Sequence, residues 1–457
     1  MIAILSIGGS AILGVLFVLV SIKKKALSLD DYITYRHKSS YLMTAISLSA
    51  SVLGGWILFN PIETGTWAGI TGLIGYSLGQ AMPLFVLAFL GPHLTQRLPQ
   101  GYGLSDFVYH RYGKRSAQFT SLLMIFYMGT FLTAELSAIG QVLSYIFHIP
   151  LILTCSLTMI IIFAYVFRGG LGASIYTDKI QLYLLVPMII ALFVGVGLKE
   201  GFQSLTLNSD LINLSYIPGI KFGFVLLIGV TASNLFHQGF WQRVYSLKQE
   251  TTQPKAFILG GILVIPIIIL IGLLGIIATN TGVVNPNEPS LALFPLIERL
   301  SPYFTIIIIL LTSVLVMSSI DTLLNGLVST IISWKGVKEE ENKSLRKAQS
   351  LTILIGIIAI LLGSRGGSVL YFFLVADLVC SAFAFPLTFG LFNKKINGAK
   401  ALIAGTLATI IGALFFPKYD YTSWSGLPAD MLISFSLALI LSIAFTLSLS
   451  IIRSHNE

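Results

Sequence analysis

The sequence predicts an all-α polytopic membrane protein of about thirteen transmembrane helices. Three observations carry this. Charged residues make up only 10% of the 457-residue chain and hydrophobic residues 55%, where a soluble protein carries roughly 25% charge. Apolar stretches near the ~20 residues that span a bilayer recur along the whole chain. No long linker or shift in composition separates them, so no appreciable soluble domain is expected. The net charge of +9 does not indicate a nucleic-acid binder, because the basic residues lie between spans and form no patch interleaved with aromatics.

Taken in order, the spans run over about 1–22, 41–65, 67–92, 117–147, 150–167, 180–198, 221–243, 257–279, 303–333, 350–364, 368–392, 399–416 and 429–452. The first has no positive residues ahead of it and ends in Lys23-Lys24-Lys25 without a small-residue cleavage site, so it reads as a retained span rather than a signal peptide. The second contains Ser47-Leu48-Ser49-Ala50-Ser51-Val52-Leu53-Gly54-Gly55-Trp56 and then Pro61. Small residues and a glycine pair midway along a span allow the helix to break, which exposes backbone carbonyls that transporters use to hold ions. Close helix packing explains such residues equally well. The span 221–243 carries a weaker counterpart, Gly229-Val230-Thr231-Ala232-Ser233-Asn234 followed by Gly239. Five spans separate the two candidate breaks, the interval an inverted five-plus-five repeat requires. Cys155 and Cys380 fall inside apolar runs and read as small buried hydrophobes rather than a disulfide or metal pair.

Lysine and arginine placement fixes the expected orientation. With the N-terminus outside, 23 of the 28 fall in the loops 23–40, 93–116, 168–179, 243–256, 334–349 and 393–400 and in the C-terminal tail; Lys199, Lys221, Arg299, Arg365 and Lys418 fall on the other face. N-terminus out and C-terminus in is the orientation this implies.

Charge inside a span is expensive, about 2.5 kcal/mol or more per group on insertion scales. Three acids nevertheless lie deep: Glu135, Asp321 and Asp377. No lysine or arginine is expected at comparable depth, so their partners should be water, backbone, a proton or a bound cation. Asp321 belongs to Ser318-Ser319-Ile320-Asp321-Thr322, in which Ser318 and Thr322 share a helix face and the oxygens suit a hard cation such as sodium. Plainer readings stand beside these. Serine and threonine in a helix often bond only their own i−4 carbonyl. Asn234 is able simply to bridge two helices, Glu135 and Asp377 to be protonated structural groups, and Asp178 to cap the helix that follows it.

Several of these segments resemble the sodium:solute symporters. Leu29-Asp30-Asp31-Tyr32 through Arg36 is similar to the family's D-Y-x-x-x-x-R segment, and Gly170-Leu171 through Tyr176-Thr177-Asp178-Lys179-Ile180-Gln181 to its G-G-L…T-D-x-x-Q segment. Asn234-Leu235-Phe236-His237-Gln238-Gly239 resembles a motif of sugar-carrying members, and the Ser318–Thr322 cluster resembles the family's sodium motif. The resemblance covers about 27–391 and implies a LeuT-type fold of two inverted five-helix repeats. The implied division is an extra helix and loop at 1–40, repeats at 41–198 and 199–392, and two additional helices in 393–457.

Carried over residue by residue, the resemblance implies a sodium site at Ala50, Leu53, Leu315, Ser318 and Ser319, and a second cation position at Asp178, Asp321 and Thr322. Candidate solute contacts are Trp56, Glu135, Asn234, His237, Gln238 and Asp377. There are departures. Val52 stands where several members carry a polar residue, and Ile57 and Tyr76 stand where sugar carriers have glutamine and glutamate, which argues against sugar. Thr133-Ala134-Glu135-Leu136 replaces a common A-A-Q-L segment; a glutamate there suits a cationic or amide-bearing solute, or proton coupling. Gly75-Tyr76-Ser77-Leu78-Gly79, Leu90-Gly91-Pro92 and Ala376-Asp377-Leu378-Val379-Cys380 look most like the urea-transporter branch.

The expectation is therefore a monomeric, multi-pass cell-membrane symporter that couples sodium to a small polar solute (urea, an amino acid or an amine) by alternating access. A proton-coupled or uncoupled facilitator and a solute sensor on the same fold remain alternatives. No metal-ligand spacing, nucleophile elbow or phosphate loop points to an enzyme.

Overall fold

The computed structural model describes residues 2–23, 28–335, 341–366, 368–418 and 425–451. The expected tail beyond 451, part of the 334–349 loop and Lys24-Lys25 lie outside the described residues. Each of the thirteen apolar stretches falls on a helix or on a pair of helices joined by a break. In chain order they are α1 Ile2–Lys23, α2 Tyr41–Val52 with α3 Asn60–Trp67, α4 Gly69–Arg97, α5 Lys114–Phe147, and α6 Leu151–Ala164 followed by α7 Gly170–Glu200. Then come α8 Ile217–Asn234 with α9 Gln238–Ser246, α10 Gln253–Asn280, α11 Tyr303–Lys335, α12 Glu341–Gly363, α13 Val369–Phe389, α14 Gly398–Ala413 and α15 Met431–Ile451. By length and composition alone, nine helices among the described residues suffice to cross a membrane, or ten if the bent pair α2–α3 counts as one span.

Both anticipated breaks are present. Ser40 caps α2 by accepting the Met43 N–H at 3.4 Å, and α2 runs to Val52. Leu53 and Gly54 are extended, one 3₁₀ turn (Gly55–Leu58) follows, and Pro61 sits in the first turn of α3; the two halves bend by 54°. In the second case α8 stops at Asn234 and α9 restarts at Gln238, with Leu235, Phe236 and His237 between them. The lipid core offers no water to satisfy broken backbone, so such breaks persist only where protein surrounds them. Gly54, Gly55, Leu235, Phe236 and His237 are all buried.

Two corrections to the sequence reading follow from these helices. The span expected to begin at 180 begins at Gly170, where a φ of +59° marks the kink that separates it from α6. Asp178 therefore lies two turns inside α7 and caps nothing. The span expected to end near 243 continues to Ser246, because the break inserts irregular residues and the helix resumes inside the protein.

The core helices approach closely. At the crossing of α4 and α8, a Cβ on Gly75 would strike the backbone of Gly223, the small-residue contact by which membrane helices gain van der Waals packing without a hydrophobic driving force. On the side where most lysines and arginines lie, hereafter the basic side, the loop before α2 is stitched to the end of α9. Lys38 and Ser39 donate to the Ser246 carbonyl at 2.9 and 2.8 Å, and Lys248 donates back to the Ser39 carbonyl at 2.8 Å. Cys155 and Cys380 are free thiols in buried positions.

Candidate functional site

The first break lies against α11. A Cβ placed on Gly54 would overlap the Ser319 hydroxyl and the Glu135 carboxylate, and one on Gly55 would overlap Val316. Glycine is required here for close approach rather than for an unusual φ. Among the described residues no backbone N–H donates to the carbonyls of Ala50 and Leu53. Glu135, on α5, accepts the Gly55 N–H through Oε2 at 2.8 Å. Its Oε1 and the Ser319 Oγ are buried without a partner among the described residues. A hydroxyl and a carboxylate oxygen thus meet at Gly54, between Leu53, whose carbonyl is open, and the 3₁₀ turn, where an unpartnered buried polar atom costs about 1–3 kcal/mol. These groups fit a small hard cation.

The neighbouring residue on α11, Ser318, donates to Asp178 Oδ1 at 2.8 Å. The other Asp178 oxygen accepts from Ser47 (2.5 Å), Ser51 (3.3 Å) and the Arg243 guanidinium (2.9 Å). Arg243 and Asp178 are both fully buried. This corrects the expectation that no basic residue reaches the depth of the acids. Arg243 stands at the edge of the apolar run, where hydropathy places a loop, but it projects from α9, which is buried along its length. Its Nη2 also reaches Ser51 Oγ at 2.6 Å and Thr322 Oγ1 at 3.1 Å, Nε reaches Ser47 Oγ at 2.8 Å, and Nη1 donates to the Gly239 carbonyl at 2.9 Å. Asp321 joins the same network through Thr322, accepting its hydroxyl at 3.3 Å and Ser174 at 2.8 Å on Oδ1, and Thr177 at 3.3 Å on Oδ2. Asp178, Asp321 and Thr322 are therefore brought together as expected, with a guanidinium already among them.

Beyond the first break, a narrow cleft with about 10 Å³ of free volume lies between α4, α5, α8 and α13. Trp56, Asn234 and Asp377 line it, as the sequence suggested. Asn234 also ties two helices, accepting the Tyr127 hydroxyl at 3.1 Å and donating to the Val230 carbonyl at 2.9 Å. Asp377 Oδ1 is buried and unpartnered. The remaining candidates lie elsewhere. Glu135 serves the break. The His237 ring stacks on Phe240 at 4.4 Å. Gln238 points toward the basic side, donating to the Tyr102 carbonyl at 2.8 Å and to Ser329 Oγ at 3.0 Å. Sequence reasoning missed Arg243, the hydroxyl pair Ser47/Ser51, and the aromatic wall of the cleft. The i,i+4 spacing of Ser47 and Ser51 was the available signal, since it places both on one helix face.

Two helices broken partway along, a hydroxyl-bearing helix against the first break and a cleft beside it define a secondary transporter of the LeuT type. The sodium:solute symporter family model matches residues 41–408; the chain belongs to that family, whose members are transporters rather than enzymes and whose coupling ion is sodium. It is 24% identical over 403 residues to the spermidine transporter DUR31 of Candida albicans, covering 86% of this chain and 76% of that protein. It is also 24% identical over 448 residues to the sodium/glucose cotransporter of Vibrio parahaemolyticus, covering 85% and 81%. A substrate-bound, outward-open sodium-coupled sialic acid symporter superposes with a TM-score of 0.79 at 18% identity, covering 99% of this chain and 98% of that one. A nucleobase-cation symporter with bromovinylhydantoin bound superposes at 0.58 and 13% identity, covering 92% and 95%.

Proposed function

We propose that this protein is a symporter that draws a small polar solute (urea, an amino acid or an amine) into the cell on the sodium gradient, by alternating access. The observation that carries this reading is that one interrupted segment serves both sites. Gly54 packs on Ser319 at the ion side, and Trp56, two residues later, lines the cleft. An ion that orders residues 50–55 changes the wall of the solute cleft, and a differential binding energy of this kind is what couples two ligands. The sodium would be held by the carbonyls of Ala50, Leu53 and Leu315 and by the hydroxyls of Ser318 and Ser319. Ser318 spends its proton on Asp178 and keeps its oxygen lone pairs for the ion. An inward sodium ion is driven by about 2.3 kcal/mol per 100 mV in addition to its concentration gradient.

At the second cation position, Asp178, Asp321 and Thr322 already have Arg243 as a resident cation, which favours a single transported sodium. The basic side is taken as cytoplasmic on the positive-inside rule, in a cell membrane, with the chain acting as a monomer. Residues 41–198 and 199–392 form the two repeats, preceded by 1–40 and followed by the helices of 393–457. The sugar named for the Vibrio relative is not carried over, because Ile57 and Tyr76 occupy the positions of the sugar carriers' glutamine and glutamate. The polyamine named for the Candida relative falls within the amine part of the proposed range.

The test is uptake by purified protein in proteoliposomes across urea, proline, amines and organic acids. An inward sodium gradient should accelerate accumulation of at least one solute over an equal potassium gradient. Uptake indifferent to sodium would indicate a facilitator, and uptake that follows an imposed pH gradient instead would indicate a proton-coupled carrier.

A further inference from the structure

Among the described residues, Asp377 is the one charged side chain that lines the cleft, and no lysine, arginine or histidine lines it. It is 2% exposed, and its Oδ1 has no partner among the described residues; Ser233 is its hydroxyl neighbour. Five aromatic rings form one continuous part of the wall, beside the polar Gln80, Ser233 and Asn234 and three aliphatic side chains. Trp56 stacks on Tyr76 at 5.6 Å and meets Phe373 edge-on at 6.2 Å; Phe373 meets Phe131 at 4.8 Å, and Phe131 meets Tyr127 at 6.1 Å. All five rings line the same cleft as Asp377.

We propose that this cleft is an organic-cation site: it takes the protonated amino or guanidino head of the solute, with Asp377 as counter-charge and the rings of Trp56, Tyr76, Tyr127, Phe131 and Phe373 as its walls. The assignment rests on the reading of the cleft as the solute site and narrows the solute to one charge class.

The alternatives fit the same walls less well. A carboxylate buried in a span with one oxygen unpartnered and no counter-charge is expensive, and a cation arriving with the solute removes that cost. The faces of aromatic rings carry partial negative charge and attract an ammonium or guanidinium, more strongly when the site is desolvated. A bare sodium ion requires several hard oxygens, and among the described residues Asp377 is the one carboxylate lining the cleft. An amino acid or other carboxylate-bearing solute would bring a second negative charge next to Asp377, with no cation among the described lining residues to receive it. A neutral sugar could use Gln80, Ser233 and Asn234 but would leave the carboxylate without a counter-charge. Urea would leave the carboxylate without its counter-charge.

The test uses full-length protein in proteoliposomes with an inward sodium gradient and labelled putrescine as the probe. Guanidine, urea, proline and glucose are added as competitors, and binding of putrescine to detergent-purified protein is measured in parallel. Sodium-driven putrescine uptake, or competition by guanidine against whichever solute is carried, is expected. Asp377→Asn should weaken putrescine binding on the order of tenfold or more while leaving sodium binding in place, and Asp377→Glu should retain part of it. Sodium-driven uptake of urea, proline or glucose that no amine or guanidine inhibits would overturn the cation assignment and leave the symport reading standing. Putrescine binding that is sensitive to Asp377→Asn, without any sodium-driven uptake, would do the reverse. Absence of any amine or guanidine binding overturns it. If Asp377→Asn fails to give folded protein, the competition panel on the unaltered chain decides.

Discussion

Arg243 and Asp178 form an ion pair of 2.9 Å with both side chains fully buried, and Ser47, Ser51 and Thr322 also bond the guanidinium. Four elements meet at this pair: α9 after the second break, α2 before the first, α7 in the first half of the chain, and α11, from which Thr322 bonds the guanidinium and Ser318 the carboxylate. It ties the two interrupted spans to each other directly beside Ser318.

Removing one partner of such a pair leaves an uncompensated buried charge, a loss of about 3–5 kcal/mol. Arg243→Ala should therefore lower the melting temperature of the purified protein markedly, as followed by tryptophan fluorescence. Asp178→Asn combined with Arg243→Gln removes both charges and should be the milder change. A single Arg243→Ala as stable as wild type would show that the pair does not hold the breaks together.

Gly54 meets Ser319 and Glu135 with no space for a side chain. Gly54→Ala forces the break away from α11, and overpacking of this kind typically costs 1–3 kcal/mol. Sodium-driven uptake should fall roughly tenfold or more. Uptake at the wild-type rate would mean that the close approach is not part of the ion site.

On the basic side Arg36 joins the segment before α2 to the loop after α4. It binds the Asp30 carboxylate at 2.8 Å, donates to the carbonyls of Pro99 at 2.8 Å and Gly101 at 3.1 Å, and lies 5.2 Å from the centroid of the Tyr245 ring. Asp30 is substantially exposed, so the ion pair alone contributes at most ~1 kcal/mol. A shift of that size changes a two-state population about fivefold. In a background with Cys155 and Cys380 replaced by alanine, Arg36→Ala should raise maleimide labelling of Gln242→Cys severalfold. Unchanged labelling would remove Arg36 from the closure of this side.

Much of this was legible in the chain. Thirteen apolar stretches, the glycine pair at Gly54-Gly55 and the polar run before Leu235 locate the helices and both breaks, because hydropathy and glycine content are local properties. The α11 face was legible for the same reason: Ser318 and Thr322 are one turn apart. Arg243 was not, since an arginine at the end of an apolar run ordinarily marks a water interface. Here the hydroxyls and carboxylate that solvate it come from α2, α7 and α11, far away in sequence. Asp178 was misplaced by a kink at Gly170 that hydropathy reads as a loop. The aromatic cleft is assembled from one residue or a few on each of several helices, and no single segment reveals it. Gln238 belongs to a recognisable motif, but the helix restart after His237 turns it toward the basic side.

The central claim is that a sodium ion sits between the first break and the Ser318-Ser319 face of α11. The most direct measurement is equilibrium binding of labelled sodium to the purified protein, comparing wild type with the Ser318→Ala/Ser319→Ala double variant. Saturable binding close to one ion per chain in the wild type, weakened on the order of tenfold (1.4 kcal/mol) in a variant that still folds, is the predicted result. Sodium affinity untouched by the double substitution would contradict it.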